Sequence, residues 1–98
     1  MVKHMIIWKL KDEITDKKKV ALNIKNALEG LEGKIDGLIK MSILTDKLDS
    51  SSGDIMMDSL FIDQKALKEY QSNPLHLEIA NGLVRPNVQT RLSFDFDV

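Results

Sequence analysis

The two histidines and the single tyrosine of this sequence, His4, His76 and Tyr70, are of types that move protons. A neutral imidazole accepts a proton near neutral pH, and a phenol donates a hydrogen bond to a carbonyl oxygen or a developing enolate. Such a pair suits proton abstraction next to a carbonyl, as in an aldol cyclisation. Tyr70 and His76 stand six residues apart, so on one continuous helix they would diverge by about 240°. Asn73-Pro74 lies between them. Asn is a good N-cap and Pro suits the first helical position, so a second helix starts there and can turn back to bring both side chains to one cavity. His76 then sits in the first turn, where the positive end of the helix dipole disfavours an imidazolium and keeps the ring neutral. His4 is strand-borne, on the same face as Ile6 and Trp8, and is placed to lie across that cavity. The alternative is that both histidines are structural and that Tyr70 is a half-buried aromatic with its hydroxyl in water.

Other chemistries find less support. Without cysteine there is no disulfide, no thiolate metal site and no cysteine nucleophile. Two histidines with no carboxylate at ligand spacing make a poor metal centre, so no metal is assigned. Gly30 and Gly33 read as a helix end, not a phosphate cradle, and no cofactor is expected. Asp95 and Asp97 share a strand face, but a glycosidase-type pair needs a cleft, and a solvated sheet edge is the simpler reading. Met5, Met41, Met56 and Met57 suit core and interface gaps. A net charge of −1 lacks the basic footprint that nucleic acid demands. Charge varies mildly in blocks, and Lys17-Lys18-Lys19 reads as a solvated helix face. The apolar run Met5 to Trp8 stops at Lys9, too short for a membrane span or a signal-peptide core, so a cytosolic protein is expected.

The elements that must position these residues follow from periodicity. Val2 to Lys11 alternates with period two: Val2, His4, Ile6, Trp8 and Leu10 on one face, Lys3, Met5, Ile7 and Lys9 on the other. Thr15 and Asp16 offer N-cap chemistry to a helix carrying Val20, Ile24, Ala27, Leu28 and Leu31 at helical spacing, which Gly30 and Gly33 end with a left-handed cap. After Gly37 a strand from about Leu38 to Leu48 places Ile39, Met41, Ile43 and Thr45 on one face. The polar loop Asp49 to Asp54 leads to a third strand, Ile55 to Ile62. Asp63 caps a short helix through Ala66, Leu67 and Tyr70. The helix after Asn73 has Leu75, Ile79, Ala80 and Leu83 as its apolar stripe, and a last strand runs from Thr90 to Val98 with Leu92, Phe94, Phe96 and Val98 alternating.

The order β-α-β-β-α-β over residues 1–98 is the ferredoxin-like, α+β arrangement: one antiparallel sheet with helices on one face, in a single domain. Strands one and three are apolar on both faces, and two helices cannot cover both. An uncovered apolar sheet face marks an interface, and a second copy is the economical cover for a chain this small. Homodimerisation through Met5, Ile7, Leu60 and Ile62 is therefore expected. The covered side would hold the pocket, lined by His4, Trp8, Ile24, Leu28, Phe61, Tyr70 and His76.

Four segments carry a resemblance. Val2 to Asp12 is similar to the opening strand of the stress-responsive dimeric α/β-barrel family, and Ala27 to Leu38 resembles its first helix end and turn. Tyr70-Gln71-Ser72-Asn73-Pro74-Leu75-His76 resembles its tyrosine, three residues, proline, any, histidine segment, and Phe94-Asp95-Phe96 its last strand. The resemblance implies a ferredoxin-like monomer whose sheet pairs with another to form a barrel. A plant subset of that family cyclises polyketides with the matching tyrosine and histidine. Its further histidine at the opening of strand three is replaced here by Ile55. Two classes thus stay open: a binder or enzyme for a small aromatic or carbonyl compound, and a non-catalytic stability or interaction module.

Overall fold

Alternation along the first residues yields β1 (Val2–Leu10), which buries Val2, His4, Ile6, Trp8 and Leu10 and turns Ile7 and Lys9 outward. The computed structural model describes all 98 residues. After β1 come α1 (Lys17–Glu29), β2 (Leu38–Leu44), β3 (Ile55–Phe61), α2 (Gln64–Ser72), α3 (Pro74–Ile79) and β4 (Val88–Asp97). A single wide π turn (Ala80–Val84) and a 3-10 turn (Arg85–Asn87) join α3 to β4. The strands form one antiparallel sheet in the order β2-β3-β1-β4. The helices pack on its inner face, where Ile24, Leu28, Met41, Ile43, Met57, Phe61 and Tyr70 close the core. This is the ferredoxin-like fold.

The helix starts are set by side chains. Asp16, rather than Thr15, caps α1 by accepting from the Lys19 N–H, and Asp63 caps α2 by accepting from the Ala66 N–H at 2.8 Å. Asn73 ends α2 and caps α3, accepting from the Leu75 N–H at 2.9 Å. Each satisfies a backbone donor that the first turn leaves free.

Several local expectations change. Gly30 closes α1 in right-handed geometry, while the left-handed residue is Gly33, beyond the helix, so Leu31 is buried from a turn. β2 stops at Leu44, which leaves Thr45 in the loop. A register shift between Leu38 and Lys40 sends Leu38 inward and leaves Ile39 exposed, so Ile39 does not share a face with Met41 and Ile43. Such a bulge offsets the two-residue alternation by one position. Of the stripe after Asn73, Ala80 is buried and Ile79 and Leu83 pack against the core, whereas Leu75 is exposed; Val84 joins the buried set at the end of the π turn. Gly37 is required: its φ is +82°, and a Cβ there would stand 2.5 Å from the Ala66 Cβ.

The two sheet edges differ. Along β2, the N–H groups of Met41 and Ile43 donate to Glu32 and Glu29 at 3.1 and 2.9 Å, and Lys25 donates to the Ile43 carbonyl. Side chains of α1 and the following turn thus block the edge against further pairing. These contacts also hold the Glu29 carboxyl below its ordinary pKa: burial pushes it up, but the Ile43 N–H and Lys25 prevail. β4 pairs with β1 alone, and its residues beyond Gln89 are exposed.

Candidate functional site

A cavity of about 500 Å³ opens between the inner sheet face and the α3 region. β1 supplies His4, Ile6 and Trp8 to its wall, α1 supplies Leu28, and β3 supplies Met57. Tyr70 and Gln71 come from α2, and His76, Ala80, Val84 and Arg85 from the α3 side. β4 closes it with Val88, Gln89 and Arg91. The volume is in the range of small-molecule sites.

The chain break at Asn73-Pro74 brings Tyr70 and His76 together, with ring centroids 4.1 Å apart and a 34° tilt. Phe61 backs Tyr70 at 5.0 Å and stands edge-on to His4 at 6.4 Å. Neither the Tyr70 hydroxyl nor His76 Nδ1 meets a protein hydrogen-bond partner, although both atoms are buried, and no other buried side-chain polar atom in the chain shares this condition. Burial pushes the Tyr70 pKa well up, only partly opposed by Arg91, so the phenol stays protonated and remains a donor. Burial lowers the His76 pKa, with Arg85, His4 and Arg91 acting in the same direction against the Gln71 backbone. The neutral ring expected from the helix dipole is thus obtained chiefly by desolvation.

His4 is buried to 2% exposure, and its Nδ1 bonds the carboxylate of Asp95 on the neighbouring strand. With Nδ1–H donating, Nε2 is left as the acceptor. The pairing follows from register, since His4 stands opposite Asp95 on β4. Asp95 is therefore not the freely solvated edge residue expected from charge pattern. Of the other residues expected in the pocket, Trp8 and Leu28 line the cavity. Ile24 and Phe61 do not: both are at 0% exposure in the closed core, Phe61 behind Tyr70.

Gln71, Arg85, Gln89 and Arg91 in the cavity wall, and Asp95 behind it, are not among the residues expected from the sequence. On β4 the alternation of Leu92, Phe94, Phe96 and Val98 does not by itself say which face is inward, and it is Arg91, Ser93 and Asp95 that lie opposite Trp8, Ile6 and His4. Reading β4 against β1 in antiparallel register was the signal available. The same register puts Leu92, Phe94 and Phe96 on the outer face beside Ile7, Met5 and Lys3. There, Met5 and Leu60 are half-buried, while Ile7 and, just past β3, Ile62 are exposed. No group of three or more His, Cys, Asp or Glu residues is arranged to hold a metal ion. No helix is long and apolar enough to cross a membrane.

Comparison with known proteins gives the fold a wider setting. A dimeric protein of unknown function and ferredoxin-like fold from Bacteroides fragilis superposes with a TM-score of 0.90 at 25% identity, covering 99% of this chain and 95% of its own. A Dabb family protein from Mesorhizobium loti gives 0.75 at 20% identity, covering 99% and 95%. A hydroxynitrile lyase from Passiflora edulis gives 0.80 at 15% identity, covering 99% and 92%. Among curated proteins, none matches the sequence. The description of the stress responsive A/B barrel domain fits residues 2–98, and the chain belongs to that family.

Proposed function

We propose that the cavity binds a small aromatic or carbonyl compound and that Tyr70 and His76 move a proton at the carbon beside its carbonyl. One observation carries this reading: the Tyr70 hydroxyl and His76 Nδ1, buried side by side in the cavity wall, have no partner within the protein. Leaving a buried polar group unpaired costs ~1–3 kcal/mol. A bound carbonyl compound gives the phenol an acceptor and presents the α-C–H beside its carbonyl to the imidazole. The phenol then donates to the carbonyl oxygen, and neutral His76 takes the α-proton. The C–H electron pair moves into the enolate, whose oxygen the phenol stabilises, and the proton returns from the imidazolium in the reverse step. The Passiflora hydroxynitrile lyase, an enzyme on the same fold, adds support for a catalytic use of this architecture.

His4 offers a second base. Its bond to Asp95 fixes tautomer and orientation and leaves Nε2 to accept, the arrangement by which a carboxylate supports an imidazole base. Parallel His4→Ala and His76→Ala variants separate the two roles.

The same proposal includes a homodimer. The outer sheet face carries Ile7, Leu92 and Phe94, all 45% exposed or more, in one apolar surface. The Bacteroides relative is described as dimeric. A second sheet packed on this face is the cover that the surface requires.

The binding test follows the indole N–H resonance of Trp8, the only tryptophan, during titration with aryl ketones. His76→Ala should shift the melting temperature by a few degrees, about 1 kcal/mol or less, while weakening binding. A large stability loss, with no compound perturbing Trp8, would favour the non-catalytic interaction module.

A further inference from the structure

The chain has two arginines, and both line the cavity, whereas none of its lysines does. Arg91 projects from the β4 wall in register with Trp8, and Arg85 follows the π turn on the helical wall. Neither guanidinium meets a carboxylate in an ion pair. Arg85 donates to the neutral side chain of Asn81. No Asp or Glu lines the cavity, since Asp95 is turned to His4. In a chain with fifteen acidic residues, an acid-free cavity holding both arginines is a local reversal of the overall charge.

The wall is graded as well. Ile6, Trp8, Leu28 and Met57 make one part apolar, while Gln71 and Gln89 add neutral hydrogen-bonding groups near the arginines. A planar guanidinium presents forked N–H donors that match a carboxylate, and such charge-assisted bonds are stronger than neutral ones. Both arginines are exposed, so they engage an anion without first giving up a buried setting.

We infer that the cavity selects an organic anion: a carbonyl compound bearing a carboxylate, gripped by Arg85 and Arg91, with its apolar body against Trp8 and Leu28 and its carbonyl toward Tyr70 and His76. This names the ligand class of the site proposed above and rests on that reading.

Benzoylformate and its methyl ester form a probe pair of nearly the same shape that differ by one charge. Each is titrated into the intact protein while the Trp8 indole resonance is followed by NMR. The acid should bind at least ten-fold more tightly than the ester, and raising the salt concentration should weaken the acid alone. In Arg91→Gln the acid's advantage should shrink several-fold, and in Arg85→Gln/Arg91→Gln it should vanish while the ester's affinity stays put. The ester also reports on folding of the variants. Equal or tighter binding of the ester to the wild type, or equal weakening of both probes in the variants, overturns the anion inference and leaves the carbonyl site standing. If neither probe moves Trp8 at millimolar concentration, the binding site itself fails, and the anion inference with it.

Discussion

The two faces of the sheet are built from the same strands and have opposite fates. On the inner face, β1 and β3 alternate large apolar residues that α1 and α2 cover, and the core closes around Phe61 and Tyr70. On the outer face, Ile7, Leu92 and Phe94 are equally apolar and stay exposed. The difference lies in the helices, which cover one side of β1 and β3. The inner face also holds the chain's orphaned buried polar atoms and the cavity that they line, whereas the outer face carries a half-buried ion pair, Lys3–Asp58, and no orphaned buried polar atom. The proposed chemistry uses the side the chain encloses by itself, and the proposed association the side it leaves open.

The sharpest way to break this contrast is to charge the outer face. Ile7→Lys places an ammonium where the partner sheet is proposed to pack, and an unpaired buried charge costs several kcal/mol. Light scattering of the wild type should give about twice the 11.1 kDa chain mass, and the variant should fall to a monomer or aggregate. A stable dimer carrying Lys at position 7 would show that the outer face is not the interface.

Phe61→Ala probes the other side. The ring is at 0% exposure against Tyr70, so its loss should cost ~3–5 kcal/mol in chain stability, read as a fall in urea midpoint. The folded fraction should still dimerise. Loss of association without loss of stability would contradict the division between the faces.

A smaller effect sharpens the contrast within the inner face. Tyr70→Phe removes a buried hydroxyl that has no protein partner. Stability should therefore hold or rise by about 1 kcal/mol, while ketone binding at Trp8 weakens. A marked loss of stability would mean that the hydroxyl is structural.

The smallest effect is in pH. Burial, then Arg85, His4 and Arg91, hold the folded His76 pKa below the ordinary 6.5. Between the two values the unfolded chain binds the extra proton, so this contribution is intact above 6.5 and is lost as pH falls from there through the folded pKa. The wild-type melting temperature should consequently fall more steeply than that of His76→Asn as pH is lowered from about 7 to about 5.

Much of this division was legible in the residues. β1 could be read because its alternation is unbroken, and Asp63 and Asn73 could be read because capping is local chemistry. Tyr70 and His76 were within reach because a proline break is also local. What escaped depended on distant pairing. The bulge at Ile39 appears only against β3, and Asp95 becomes the partner of His4 only in the β1–β4 register. Arg91 was hidden for the same reason, since apolar alternation identifies a buried face only when that face is the one the helices cover. Ala80 lay in the expected stripe, but the π turn that carries Val84 into the cavity wall widens the helix, and α-helical spacing cannot forecast it.

Proton transfer at a carbon beside a carbonyl leaves a direct trace in heavy water. Phenylpyruvate and phenylacetone, one charged and one neutral, can each be incubated with the protein in D2O while their α-proton signals are followed by NMR. Exchange above the buffer rate is expected for at least one of them, lost in His76→Ala and strongly reduced in Tyr70→Phe. Exchange at the buffer rate for both compounds, or undiminished exchange in His76→Ala, would contradict the proposed proton transfer.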